Sequence, residues 1–137
     1  MNNEKLDIST LVKAIDRLQE GLDRYLLNIA DTQIRDGLIQ RFEFTYDLSH
    51  KTLKRYLESI SATPEQYDQM PFQNQIRSGN EQGLLPGDWS VWRTHRDMRN
   101  KTSYTYDEEV ALTVVAQIPA FLSEAIYLRN QLEQRLA

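Results

Sequence analysis

Apolar residues recur at every third or fourth position along most of this chain, and that spacing constrains its fold more than any other feature. The spacing places the apolar side chains on one stripe of each predicted helix, as packing in a bundle requires. No segment of the sequence alternates convincingly with period two, so strands are not expected. The first predicted stripe contains Leu11, Ile15, Leu18, Leu22, Tyr25, Leu26 and Ile29, and Ser9 is its expected N-cap.

A second long helix is predicted from about Thr32 to Ile60, directly after the first. Because the connection is so short, the two helices must fold back on each other as an antiparallel hairpin. Aromatic residues cover more than one face of this helix, which indicates burial in the core and in a dimer interface. The predicted stripe contains Ile34, Leu38, Phe42, Thr45, Leu48, Thr52, Tyr56 and Ile60.

Turn-forming residues divide the rest of the chain. A short helix is predicted for Gln73 to Gln82, and Asp88 is a favourable cap for a fourth helix that Trp89 and Trp92 should anchor to the core. The last helix opens with 107-DEE-109, and Pro119 should kink it. The sequence therefore predicts one domain, residues 1–137, with an all-α, up-and-down bundle of four main helices plus a short one.

Composition limits the functions that such a bundle can have. Twenty acidic and 16 basic residues give a net charge of −4, which disfavours indiscriminate binding to nucleic acid, so no DNA partner is expected. The chain has no cysteine, two histidines, no P-loop and no zinc-type spacing, so neither a metal site nor a cofactor is expected. It also lacks a signal peptide and any apolar run near the roughly 20 residues of a membrane helix. A cytoplasmic protein is expected.

Polar residues crowd into the predicted junction between the last two helices. Arg99, Asn100, Ser103, Tyr104 and Tyr106 follow one another within eight positions. Helix ends leave backbone groups unpaired, and a guanidinium beside amide and hydroxyl donors suits a phosphate oxygen. The same residue types also cap helix ends and form local salt bridges, and from composition alone both interpretations stay open.

Neighbouring helices extend this cluster. His95 and Arg96 precede Arg99 by four and three positions, so all three fit on one side of the fourth helix. Glu43 and Asp47 lie four apart on the second helix. They are either solvated surface charges or partners that position Arg99 across the bundle.

Arg99, Asn100, Tyr106 and Asp107 resemble the R-x4-H-x-Y signature of HEPN-type domains. The similarity is closest to the small HepT-like proteins, also called nucleotidyltransferase substrate-binding proteins. A second block, residues 41–58 (RFEFTYDLSHKTLKRYLE), is similar to the phenylalanine-rich second helix of that family. The resemblance spans nearly the whole chain.

The resemblance implies a five-helix bundle that forms a homodimer, with the signature arginines of the two subunits facing each other. It also implies a partner, a minimal nucleotidyltransferase of the MNT type, in a two-gene module that resembles a toxin–antitoxin pair. In the best understood systems the HEPN protein is a metal-independent RNase toxin, and the nucleotidyltransferase neutralises it by transferring AMP to a tyrosine. On these grounds Arg99 is the expected catalytic, phosphate-contacting residue, Asn100 its polar neighbour and Tyr106 the AMP acceptor.

One position departs from the signature, because Tyr104 stands where the family has histidine. Proton transfer near neutral pH suits histidine, with an ordinary pKa of about 6.5, better than tyrosine, with one of about 10. His95 is the alternative acid or base. Two functional hypotheses follow: a substrate-binding subunit with a nucleotide groove formed by Arg96, Arg99, Asn100 and Ser103, or an RNase weakened by the exchange. A purely structural helical dimer is the third.

Overall fold

The computed structural model describes residues 5–137, and every regular element among them is helical. The prediction of four main helices plus a short one is confirmed, since five α-helices occur in this part of the chain. Short 3-10 turns at Pro64–Tyr67 and Thr102–Tyr104 join them. The helices are α1 (Ser9–Leu27), α2 (Thr32–Ser59), α3 (Phe72–Glu81), α4 (Trp89–Lys101) and α5 (Glu108–Leu136).

Aspartate side chains begin three of these helices. The carboxylates of Asp31, Asp88 and Asp107 accept hydrogen bonds from backbone N–H groups in the first turns of α2, α4 and α5, which the helix would otherwise leave unpaired. The predicted cap at Asp88 is confirmed, with 3.0 Å from Ser90 N to the carboxylate. The predicted cap at Ser9 is wrong, because Ser9 is already the first helical residue and Ile8 takes the cap position.

An aromatic cluster joins α2, α4 and α5 at the centre of the bundle. Phe121 of α5 is fully buried, and its ring centroid lies 5.1 Å from that of Phe42 and 5.9 Å from that of Trp92, both nearly edge-on. Tyr46 completes the cluster at 6.0 Å from Phe121. The expectation that Trp92 anchors α4 to the core is confirmed, because its side chain is only 1% exposed.

The last helix, α5, is long and apolar enough to cross a membrane by length and composition alone. Its apolar side chains, however, supply much of the core, and Val114, Ile118, Phe121 and Leu128 are fully buried against the other helices. Pro119 lies inside α5, and the kink expected there stays a prediction.

Three apolar residues assigned to core stripes are exposed instead. Leu26 is 63% exposed, Ile29 66% and Ile60 48%. The assignment failed at helix ends, because α1 stops at Leu27 and α2 at Ser59. Periodicity continues past the point where a neighbouring helix can cover the side chain.

The loop before α4 fixes the position of that helix. Gly83 has φ +75°, a conformation that favours glycine, and it lets the chain turn after α3. The Asn80 side-chain amide donates to the carbonyls of Leu85 and Gly87, at 3.0 and 3.1 Å. The Gly87 N–H donates to Glu124 of α5 at 3.3 Å. These bonds hold the start of α4 against α5.

Candidate functional site

Arg99 lies in the last turn of α4 and reaches across to α2. Its Nε donates to one carboxylate oxygen of Asp47 and its Nη2 donates to the other, each over 3.0 Å. Its Nη1 lies 3.1 Å from Thr102 Oγ1 and 4.0 Å from the Glu43 carboxylate. The hydrogen bonds to Asp47 raise the pKa of Arg99. Of the two interpretations of Glu43 and Asp47, the structure favours partners of this guanidinium over solvated surface charges, with Asp47 in direct contact and Glu43 at the edge of ion-pair distance.

The Arg99 guanidinium still has donors to offer. It carries five N–H groups, and the bonds to Asp47 and Thr102 use three of them. The side chain is 28% exposed. Within residues 5–137, one N–H on Nη1 and one on Nη2 have no hydrogen bond, and Nη1 also lies near the Glu43 carboxylate. Guanidinium N–H groups of this kind can donate to phosphate oxygens. The two carboxylates offset the positive charge, so the site orients an anion more than it attracts one.

A compact turn follows Arg99 and carries the two tyrosines. Thr102 Oγ1 donates to the Arg99 carbonyl at 2.7 Å, Thr105 Oγ1 donates to the Thr102 carbonyl at 3.2 Å, and Asp107 N–H donates to the Tyr104 carbonyl at 3.1 Å. Both phenols of this turn project outwards. Tyr104 is 56% exposed and Tyr106 87%, with ring centroids 6.5 Å apart.

The other predicted phosphate-binding residues divide into two groups. Asn100 and Ser103 are exposed beside Arg99 on the same segment. Arg96 is directed elsewhere, since its Cζ lies 5.0 Å from the centroid of the Trp89 ring, a cation–π contact. The structure thus places Asn100 and Ser103 next to Arg99 but stacks Arg96 on Trp89.

His95 lies in the core. It is 1% exposed, and its ring packs edge-on against Trp92 at 5.4 Å and Phe121 at 5.5 Å. Neither ring nitrogen has a hydrogen-bond partner among residues 5–137. Burial lowers the pKa of His95 to about 4. Although His95 precedes Arg99 by one helical turn, it points inwards as a neutral side chain. This geometry gives no support to proton transfer by His95.

Thr102 counts among the hydroxyl residues of this junction in the sequence, but its role at Arg99 was not predicted: it is buried and bonds to both the backbone and the guanidinium of Arg99. Its position three residues after Arg99, at a helix end, is a signal from which that role could have been predicted. Within residues 5–137, no group of three or more His, Cys, Asp or Glu side chains has an arrangement that would hold a metal ion.

A groove of about 540 Å³ lies between α1 and α2 and does not include Arg99. Lys13, Arg17 and Arg41 line it, beside Phe44, which is 56% exposed. The basic residues that line this groove distinguish it from the surroundings of Arg99, where Glu43 and Asp47 are acidic.

Comparisons with known proteins agree with the helical fold and identify the family. Residues 6–134 match the family model described as "Nucleotidyltransferase substrate binding protein like". A relative from Haemophilus influenzae, named as a probable ribonuclease HepT, is 38% identical over an alignment 143 positions long, and the match covers 98% of this chain and 97% of the relative.

A solved Haemophilus influenzae structure, described as revealing the fold of a substrate-binding domain of a nucleotidyltransferase, superposes with a TM-score of 0.84. It is 36% identical, and the match covers 93% of this chain and 99% of that one. The sequence and the helical bundle lead to the same assignment: this chain belongs to the family of nucleotidyltransferase substrate-binding proteins.

Proposed function

We propose that this chain is the substrate-binding partner of an MNT-type minimal nucleotidyltransferase and that Tyr106 accepts AMP from it. The observation that carries the proposal is the exposure of the Tyr106 side chain, 87%, seven residues after an arginine with two free N–H groups. The family model supports the nucleotidyltransferase partner. Asn100 and Ser103, exposed on the same segment, would complete the phosphate contacts.

In the proposed reaction the Tyr106 phenol oxygen attacks the α-phosphorus of ATP. A phosphorus–oxygen bond forms to the tyrosine, the bond to pyrophosphate breaks, and the phenol proton leaves to a base. A free phenol has a pKa of about 10, so the partner enzyme must supply both that base and the metal that binds the triphosphate. Arg99 would hold the non-bridging oxygens. Because the Asp47 and Glu43 carboxylates offset the charge of Arg99, the arginine would orient a nucleotide that the enzyme delivers rather than attract one from solution.

The remaining features of the proposal concern assembly. The chain would form a homodimer in which the Arg99 residues of two copies face one shared groove, within a cytoplasmic two-gene module of the toxin–antitoxin type. The close relation to a protein named as a substrate-binding domain supports the division of labour between two polypeptides.

A direct test mixes the purified chain and the nucleotidyltransferase encoded beside it with labelled ATP and Mg²⁺. We expect label on a tyrosine of the wild type and of Tyr104→Phe, and none on Tyr106→Phe. Label on the Tyr106→Phe variant would assign the acceptor elsewhere. No label on any protein would overturn the proposal.

A metal-independent endoribonuclease is the second candidate, and one observation favours it: the 38% identical relative is named as a probable ribonuclease. In this function Arg99 would stabilise the charge on the scissile phosphate, and Tyr104, in the place of the motif histidine, would donate a hydrogen bond. Expression of the chain alone should then degrade cellular RNA, and Arg99→Ala should abolish the degradation. If cellular RNA stays intact when the wild-type chain is expressed alone, this function is excluded.

A further inference from the structure

We propose that the turn between α1 and α2 is the docking surface for the nucleotidyltransferase that modifies Tyr106, an inference that rests on the proposed function. The last two residues of α1 and the turn that follows expose three aliphatic side chains, Leu26 at 63%, Leu27 at 84% and Ile29 at 66%. We call these three residues the apolar turn. Single exposed aliphatic residues are common, but a cluster of them marks a site of protein contact.

An ion pair fixes the apolar turn and Tyr106 at the same end of the bundle. Arg35, in the first turn of α2, lies 2.7 Å through Nη1 from Oε1 of Glu108, the first residue of α5. The Arg35 side chain is only 7% exposed, so this contact ties the two helix starts together. Tyr106 precedes Glu108 by two residues, and the apolar turn precedes α2 directly.

The spacing allows one partner to cover both features. Packed helices lie about 10 Å apart, and a standard interface buries roughly 800 Å² on each partner. An enzyme whose active site meets the Tyr106 phenol must approach this end of the bundle. The apolar turn is a group of large aliphatic side chains at this end that the surface of the enzyme can bury.

The charged residues near the apolar turn indicate what kind of surface the enzyme should present. Four exposed carboxylates lie near the starts of α2 and α5, at the same end as the apolar turn and the tyrosine, namely those of Asp36, Asp107, Glu108 and Glu109. Arg24 in the last turn of α1 is an exposed basic residue beside them, and acidic groups outnumber it. A complementary partner has an apolar patch with lysine or arginine at its rim. A second copy of this chain would bring the same carboxylates face to face and would cover the phenol, so the nucleotidyltransferase is the better occupant.

The test uses Leu27→Asp and a matched control, Ile60→Asp. Ile60 is 48% exposed just past the end of α2, at the opposite end of a 28-residue helix, about 40 Å away. The nucleotidyltransferase encoded beside the chain is the probe, and binding is measured by titration calorimetry. We expect Leu27→Asp to weaken the complex at least tenfold and to raise, by a similar factor, the enzyme concentration that gives half-maximal AMP labelling.

Labelling at saturating enzyme should stay within about threefold of wild type for Leu27→Asp. Ile60→Asp should change neither the affinity for the enzyme nor the enzyme concentration that gives half-maximal labelling. Unchanged binding by Leu27→Asp, equal losses in both variants, or a loss of self-association with intact enzyme binding would each overturn the inference. Tyr106→Phe separates the two proposals. It should bind the enzyme normally without label, so weakened binding by Leu27→Asp supports the docking surface even if no tyrosine accepts AMP.

Discussion

Arg99 and Asp47 form a two-pronged ion pair that joins α4 to α2, with both N–O distances at 3.0 Å. The pair is partly open to water, with side chains 28% and 56% exposed. Pairs at such exposure contribute little to stability, about 1 kcal/mol or less. Its larger effect is orientational, because it fixes the plane of the guanidinium and leaves one N–H free on each terminal nitrogen.

Replacement of Asp47 should therefore reduce function without unfolding the protein. For Asp47→Ala we expect the free energy of unfolding, measured by urea titration, to change by less than about 1 kcal/mol. The rate of AMP labelling should fall roughly tenfold, as the guanidinium loses its fixed orientation. Asp68→Ala removes a comparable surface carboxylate near Lys54 and should leave labelling intact. Faster labelling in Asp47→Ala would show that Asp47 blocks Arg99 rather than positions it.

The shape of the Arg99 side chain should matter as well as its charge. Arg99→Lys keeps the charge but cannot bind Asp47 and a phosphate with a planar fork. We expect labelling to fall between 10- and 100-fold, which corresponds to about 1.4 to 2.7 kcal/mol of lost transition-state stabilisation. Arg93→Lys, an exposed position on the same helix, is the control. Wild-type labelling in Arg99→Lys would mean that only the charge is needed.

The pair between Arg35 and Glu108 should contribute to stability, because its arginine is buried. Removal of Glu108 leaves a guanidinium that is 7% exposed without its 2.7 Å partner. We expect Glu108→Ala to lower the free energy of unfolding by about 1–2 kcal/mol, less than for a fully buried pair since Glu108 itself is exposed. Glu109 also lies near the N-terminus of α5, where a negative charge is favourable. Glu109→Ala should therefore lower the free energy of unfolding by less than about 1 kcal/mol. Equal losses would assign the effect to the helix dipole.

The buried His95 should make the protein less stable in acid. Burial lowers its pKa to about 4, against about 6.5 in an unfolded chain. The unfolded state therefore binds a proton first as the pH falls below about 6.5, and the stability that neutral His95 provides is lost towards pH 4. By pH 4.5 this loss should reach about 2 kcal/mol.

His95→Leu gives the measurement. Urea titrations at pH 7.5 and 4.5 should show a smaller loss of stability in this variant than in the wild type, by about 2 kcal/mol. Each protein is compared with itself at the two pH values. The contribution of the carboxylates, which titrate in both proteins, therefore cancels when the two changes in stability are subtracted. The same pH dependence in the two proteins would contradict a buried, neutral His95.

The sequence determined the helices of this protein and most of their ends. Periodic apolar residues predicted α1, α2 and α5, and a single carboxylate before α4 predicted its start at Trp89. These are local signals, set by side-chain spacing and unpaired backbone groups. The same local character made the polar stretch from Arg99 to Tyr106 visible, because its residues are neighbours in the chain.

The direction in which the functional side chains point depends on packing between helices and could not be read from the sequence. The sequence put His95, Arg96 and Arg99 on one side of α4, yet they reach the core, the Trp89 ring and Asp47. It also counted Leu26 and Ile29 as core residues, although no helix covers them. Periodicity gives the face on which a residue lies, whereas burial depends on where the neighbouring helices end, and that is fixed by packing across the whole bundle.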